Sequence, residues 1–189
     1  MLERPIFGAL GLRPVRSQHT DAEASVLTAW CKGRRSVAEL GVAEGGSAVI
    51  LRSAMDPGGR LYLIDPFFAG RMGVSWPSVT AHRAVGGVPG GSVTWVRETS
   101  HRAGRRWSEP LDFLFIDADH SYEAVCEDWD LWSPHVVTGG VVAMHDAWSR
   151  QGFEREGPVR LLQEIASGVR KSPFRVCDHA DSLAVLTRD

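Results

Sequence analysis

The stretch Val37-Ala38-Glu39-Leu40-Gly41-Val42-Ala43-Glu44-Gly45-Gly46-Ser47 decides the fold. A short apolar run stops at Glu-Leu-Gly, and a glycine pair then opens an apolar helical segment, so the stretch reads as strand, tight turn and helix N-terminus. Gly41, Gly45 and Gly46 permit positive φ and close approach of a ligand to the backbone. The free N–H groups at the helix start favour an anionic group such as a carboxylate or phosphate. Glycine turns of this kind also exist for packing alone, so a second signal is needed. A second strand, Arg60 to Ile64, provides it by ending in Asp65, at roughly the ~20-residue separation at which a carboxylate meets a ribose in a β-α-β nucleotide fold.

Further elements follow outward from this unit. Thr20-Asp21-Ala22-Glu23 is a capping box, and the apolar spacing through Leu27 and Trp30 predicts a helix before the first strand. Residues 1–20 read as a tail or lid on a single domain whose core is 21–189. A helix from Gly45 to about Met55 precedes the second strand, and another spans Pro77 to Val85. Strands are predicted at 93–96, 111–116 and 141–144, and helices at 121–132 and 158–167. Phe174 to Cys177 and Leu183 to Leu186 are joined by a connection short enough to make an antiparallel hairpin. Strands alternating with helices predict an α/β fold: a doubly wound, mostly parallel seven-stranded sheet with helices on both faces and a C-terminal antiparallel hairpin. In such a sheet, ligands collect beyond the carboxyl ends of the strands.

The 189 residues, 43% of them apolar, fit one compact domain, and a net charge of -2 does not favour nucleic acid or acidic membrane as partners. No apolar run approaches the ~20 residues of a membrane span and no signal segment opens the chain, so a cytoplasmic protein is expected. Cys31, Cys126 and Cys177 are odd in number and far apart, which predicts reduced core or half-buried thiols rather than a disulfide framework or zinc cluster. Trp129 and Trp132 follow helical spacing and are assigned to the core or a dimer face; a homodimer is compatible with this size.

With these elements in place, the chain from about Val37 to Ala147 resembles the class I S-adenosylmethionine-dependent methyltransferases, and within them the small O-methyltransferases of the catechol type and their bacterial natural-product relatives. AELGVAEGGS is similar to the family's first motif, IDPF to its acidic second strand end, and LDFLFIDADHSYE followed by GGVVAMHDAW to its fourth and fifth strand ends. The resemblance implies that Glu39 and Gly41 line the methionine end of the cofactor, that Gly45 also binds cofactor and that Ser47 bonds its carboxylate. It also implies that Asp65 holds the ribose, that Ser100 contacts adenine and that Asp117 lies beneath the sulfonium. The implied reaction is methyl transfer to a hydroxyl of a small molecule, a phenol or a sugar of a secondary metabolite.

Such a transfer needs a deprotonated oxygen aligned with carbon and sulfur. Asp117 and Asp146, at neighbouring strand ends, offer oxygen ligands to Mg²⁺ or another divalent ion that would lower the hydroxyl pKa. His120 matches the position of the catalytic lysine in catechol-type enzymes and is the first choice of base; His145 is the alternative, as base or metal ligand. Where the catechol pattern has Asp-Asn, this chain has His145-Asp146, and imidazole suits Zn, Mn or Fe better than Mg²⁺. Asp117 and Asp146 could instead cap helices or contact cofactor without an ion, and a cap role is preferred for Asp119. Phe67, Phe68, Trp76, Trp148 and Phe153 are placed in loops overhanging the pocket, with Arg71 and Arg150 as possible substrate contacts. Two other classes stay open: a nicotinamide-dependent oxidoreductase, which would want a tighter GxGxxG and no Glu44 near phosphate, and a catalytically silent subunit of the same fold.

Overall fold

The computed structural model describes residues 5–12, 14–16, 18–70, 73–148 and 156–189. Arg71, Arg150 and Phe153 lie outside them. Seven strands form one sheet: β1 (Ser36–Leu40), β2 (Arg60–Ile64), β3 (Ser92–Val96), β4 (Leu111–Ile116), β5 (Val136–Met144), β6 (Phe174–Ala180) and β7 (Leu183–Arg188). Their order is β3-β2-β1-β4-β5-β7-β6, parallel from β3 to β5, with β7 antiparallel to both neighbours. The order reverses between β1 and β4, the switch point at which a doubly wound sheet opens a crevice.

The strands read as continuous apolar runs because both faces are covered. Leu61, Leu63, Phe113 and Phe115 point into one layer with Leu27, Leu51 and Ala81, from α2 (Asp21–Cys31), α3 (Gly46–Ala54) and α4 (Trp76–Gly86). Tyr62, Ile64, Leu114 and Ile116 point into the other with Ala103, Trp129, Trp132 and Leu161, from α5 (Ser100–Gly104), α6 (Tyr122–Trp132) and α7 (Gly157–Ala166). This is the period-2 alternation of strand side chains split between two cores. Both tryptophans belong to the core, at 3% and 0% exposure. The three cysteines are free thiols.

Asp112, the polar interruption of β4, accepts the backbone N–H groups of Arg35 at 2.8 Å and Ser36 at 3.0 Å and so pins the start of β1. Three features differ from the sequence expectation. The strand expected at 141–144 begins at Val136: β5 runs through Gly139-Gly140 with Gly139 at φ +75°, and the β4 register shifts there, a bulge that glycine admits without strain. Residues 100–104 form the short α5, capped by the Thr99 hydroxyl. Near the chain start, α1 (Pro5–Ala9) lies against α4, where Arg83 Nη1 donates to the Gly8 carbonyl at 3.4 Å. Among the described residues no helix is long and apolar enough to cross a membrane.

Candidate active site

A crevice of about 830 Å³ opens at the carboxyl ends of β1, β2 and β4, walled by Gly41, Ser47, Asp65, Ser100, Asp117 and His120. That volume is within the ~300–1,000 Å³ usual for small-molecule sites. The crevice begins with a backbone constraint. Gly41 sits at φ +85°, and a Cβ there would lie 2.1 Å from the Asp117 carbonyl oxygen, so only glycine lets the β1 turn cross the β4 tip. Gly45, also left-handed at φ +86°, is the N-cap of α3 and opens that helix toward the crevice.

The acidic end of β2 has a task that sequence did not suggest. Asp65 Oδ2 accepts the N–H groups of Val42 at 2.9 Å and Ala43 at 3.0 Å, and Oδ1 accepts that of Phe67 at 2.7 Å. One carboxylate thus fixes both loops of the crevice, whose wall it also lines. Ser47 lines the wall, while Glu39 lies beneath it, fully buried, with the Ser47 hydroxyl donating to Oε1. Burial holds the Glu39 carboxyl well above its ordinary pKa. Glu39 therefore reaches the crevice through Ser47. Ser100, at the start of α5, is on the wall, and its carbonyl accepts Trp132 Nε1 at 3.1 Å.

The second half of the site is a side-chain cluster at the tips of β4 and β5. His120 Nε2 stands 3.6 Å from Asp117 Oδ1 and 3.2 Å from Asp146 Oδ2. His145 Nδ1 stands 3.2 Å from Asp117 Oδ1 and 3.4 Å from Asp146 Oδ2, and its Nε2 is 3.6 Å from Glu23 Oε2. Asp117 and Asp146 push His120 up to about 10. For His145 burial opposes the charge, but the same two carboxylates outweigh it and raise it to about 10. Reciprocally, the imidazoles hold Asp146 far below the ordinary carboxylate range, and hold Asp117 below it despite burial.

The two histidines differ in position. The His120 side chain is 36% exposed on the crevice wall, whereas that of His145 is 6% exposed. His145 instead borders a smaller cavity of about 200 Å³ with Glu23, Asp146 and Trp148. The His120 turn is braced from behind: Gly157 donates to the His120 carbonyl at 3.2 Å, and a Cβ on Gly157 would meet that oxygen at 2.5 Å. Neither acidic tip residue caps a helix. Ser121 is the N-cap of α6 and Glu156 that of α7, while Asp119 accepts the Ser121 N–H at 2.8 Å within the turn. Asp146 itself sits at φ +51°.

Two members of the cluster were missed from sequence. Glu23 completes the capping box of α2 as expected, but it is 2% exposed and also accepts the Ser182 N–H at 2.9 Å and hydroxyl at 2.7 Å beside His145. His19, in the segment read as tail or lid, lies against His145 with ring centroids 4.6 Å apart and with Nε2 3.8 Å from Asp117 Oδ2. Nothing in local sequence marks either, because their partners are more than 90 positions away. Of the overhanging aromatics, Phe67 is buried at 4% against His82 and Trp95, Phe68 is 79% exposed at the crevice, and Trp148 stacks on His179 at 4.0 Å.

Around Asp117 and Asp146, then, the nearest groups are imidazoles. An all-oxygen shell of the kind Mg²⁺ requires does not fit this donor set, whereas a mixed nitrogen and oxygen set suits a first-row transition ion.

A family model for a methyltransferase domain matches residues 38–147, more than half of the chain and the part that carries both halves of the crevice. The chain belongs to the class I S-adenosylmethionine-dependent methyltransferases. Solved structures agree in fold. The chain is 15% identical to an O-methyltransferase from Bacillus cereus, solved in complex with SAH, covering 97% of this chain and 88% of that one with a TM-score of 0.64. It is 16% identical to the O-methyltransferase TomG from Streptomyces achromogenes, involved in tomaymycin synthesis and solved with SAM, over 97% of this chain and 87% of that one, with a TM-score of 0.63. An rRNA methylase from Streptococcus thermophilus is 13% identical over 100% of this chain and 98% of that one, with a TM-score of 0.58. The methyltransferase fold is thus shared across acceptors of different chemistry.

Proposed function

We propose that this methyltransferase moves the methyl group of S-adenosylmethionine to a hydroxyl of a small molecule. The observation that carries the reading is the placement of His120: a titratable imidazole, half-exposed, on the same crevice wall as Ser47 and Asp65. Ser47 and the start of α3 suit the methionine carboxylate, Asp65 the ribose, and Ser100 the adenine. The sulfonium supplies an electrophilic carbon, which an oxygen nucleophile attacks in line with sulfur. As the O–C bond forms, the C–S bond breaks, and the hydroxyl proton passes to the neutral form of His120, which Asp117 and Asp146 orient and whose share grows as pH rises toward about 10. His145, buried behind the cluster, supports rather than contacts the acceptor. A divalent ion beside Asp117 and Asp146, if held there, would lower the hydroxyl pKa further.

A small neutral acceptor, a phenol or a sugar, fits better than a polyanion. Glu44, Asp65, Asp117 and Asp119 all line the crevice, and the chain carries a net charge of -2, which opposes phosphate-rich RNA. Phe68 at the lip offers an exposed apolar face to an aromatic ring or a sugar. A cytoplasmic homodimer is our working assignment.

The test is incubation with S-adenosylmethionine and a panel of phenols, sugars, amines and RNA. The reading expects S-adenosylhomocysteine to form with the hydroxyl acceptors, each product gaining one methyl group. Turnover confined to amines, or to RNA, would overturn it. S-adenosylhomocysteine should also raise the melting temperature, and NAD should not.

A further inference from the structure

We infer that His19, His145 and Asp117 form a binding site for one first-row transition ion, in which the segment before α2 supplies a ligand and the crevice supplies the open coordination position. The inference rests on the crevice being the methyl-transfer site proposed above, since its open position faces that space.

Three independent features point there. One is proximity: a ligand atom from each residue lies within 4.8 Å of the other two, with His145 Nδ1 3.2 Å from Asp117 Oδ1 and His19 Nε2 3.8 Å from Asp117 Oδ2. Metal–ligand bonds of ~2.0–2.2 Å separate neighbouring ligand atoms by about 3–4 Å, so small side-chain movements complete the site. Another is burial: the three side chains are 2%, 6% and 11% exposed. The last is satisfaction. Both ring nitrogens of the buried His145 lack a partner in hydrogen-bond geometry, although carboxylates stand within ion-pair distance. A metal bond at Nδ1 would give that nitrogen a partner, while Nε2 stays beside Glu23.

The donor set selects the ion. Two imidazoles and one carboxylate are a donor set typical of Fe²⁺, and also acceptable to Mn²⁺, Co²⁺ and Zn²⁺. Mg²⁺ prefers oxygen donors and retained water. His19 and Asp117 both border the crevice, so the open position points at the acceptor space. His120 and Asp146 stay outside the set, His120 for proton transfer and Asp146 to orient it. His19 would thereby couple the order of the N-terminal segment to ion binding.

The experiment titrates Co²⁺ into chelator-stripped full-length protein, following visible d–d absorption, with Mg²⁺ as comparison and S-adenosylhomocysteine binding measured on the same samples. The expected result is one equivalent of Co²⁺, no competition from a large excess of Mg²⁺, and affinity lowered on the order of 100-fold in both His19→Ala and His19→Gln. His120→Ala should keep Co²⁺ binding. No Co²⁺ signal in the wild type, undiminished binding in both His19 variants, or loss in His120→Ala alone would overturn the inference. The last outcome would move the ion to His120, His145 and Asp146, which also cluster. If S-adenosylhomocysteine still binds while Co²⁺ does not, only this inference fails; if neither binds, the functional reading fails with it.

Discussion

The tips of β1 and β2 and the tips of β4 and β5 face the same crevice but are built in different ways. The first pair is a backbone device: Gly41 and Gly45 in left-handed conformations, and Asp65 tied to three N–H groups of adjoining loops. The second is a side-chain device, in which His120, His145, Asp117, Asp146, Glu23 and His19 hold one another by charge. The backbone device is written in a few consecutive residues, while the side-chain device is assembled from three distant segments. Under the proposed function the difference would separate binding from chemistry: one half should fail in affinity when altered, the other in turnover.

The largest effect that would break this division is expected in His120→Ala. Turnover should fall by about 10²–10⁴-fold with S-adenosylhomocysteine affinity nearly unchanged, read from steady-state kinetics and calorimetry. Unchanged turnover would remove His120 from the base role. Next is Gly41→Val, where a Cβ would meet the Asp117 carbonyl at 2.1 Å with φ at +85°. A stability loss of about 3 kcal/mol or more is expected in urea denaturation, with cofactor binding lost in parallel.

The two halves were also unequally legible in sequence. Every strand and the helices flanking the glycine turn could be located because local signals write them: the capping box of Thr20 and Glu23, the glycine turn, the period-2 burial. The strand expected at 141–144 begins instead at Val136, because a glycine pair signals a turn unless a neighbouring strand carries the pairing past it. The short α1 and α5, five residues each, have too few turns for a periodic pattern. In the site, Asp65 was legible as an acid at a strand end, but not its grip on Val42, Ala43 and Phe67. His19 could not be found at all, since it pairs with Asp117 across 98 positions, a proximity only folding creates.

Asp65→Asn sharpens the comparison from the binding side. An amide replaces one accepting oxygen by an NH₂ donor, so the loops should loosen by about 1.5–3 kcal/mol and S-adenosylhomocysteine should bind roughly tenfold more weakly. His120-dependent proton transfer should persist at saturating cofactor.

The smallest effect lies behind the crevice. Asp128, fully buried on α6, faces His101 at 3.4 Å, and burial raises its carboxyl to about 6. An acid whose folded pKa exceeds its unfolded value near ~3.9 costs nothing when both states are protonated, and destabilises increasingly as pH rises from about 4 through 6. Asp128→Asn should therefore be about 1–2 kcal/mol more stable than wild type at pH 7, with the difference shrinking to near zero below pH 4 in thermal melts. A constant difference across that window would show that the carboxyl is not ionising there.

The central claim is that the β1–β2 half holds the cofactor independently of the β4–β5 half. Calorimetric titration of S-adenosylhomocysteine into wild type and His120→Ala tests it most directly. One equivalent bound by each, with affinities within about twofold, is the predicted result. No binding to the wild type, or parallel loss in the variant, would contradict it.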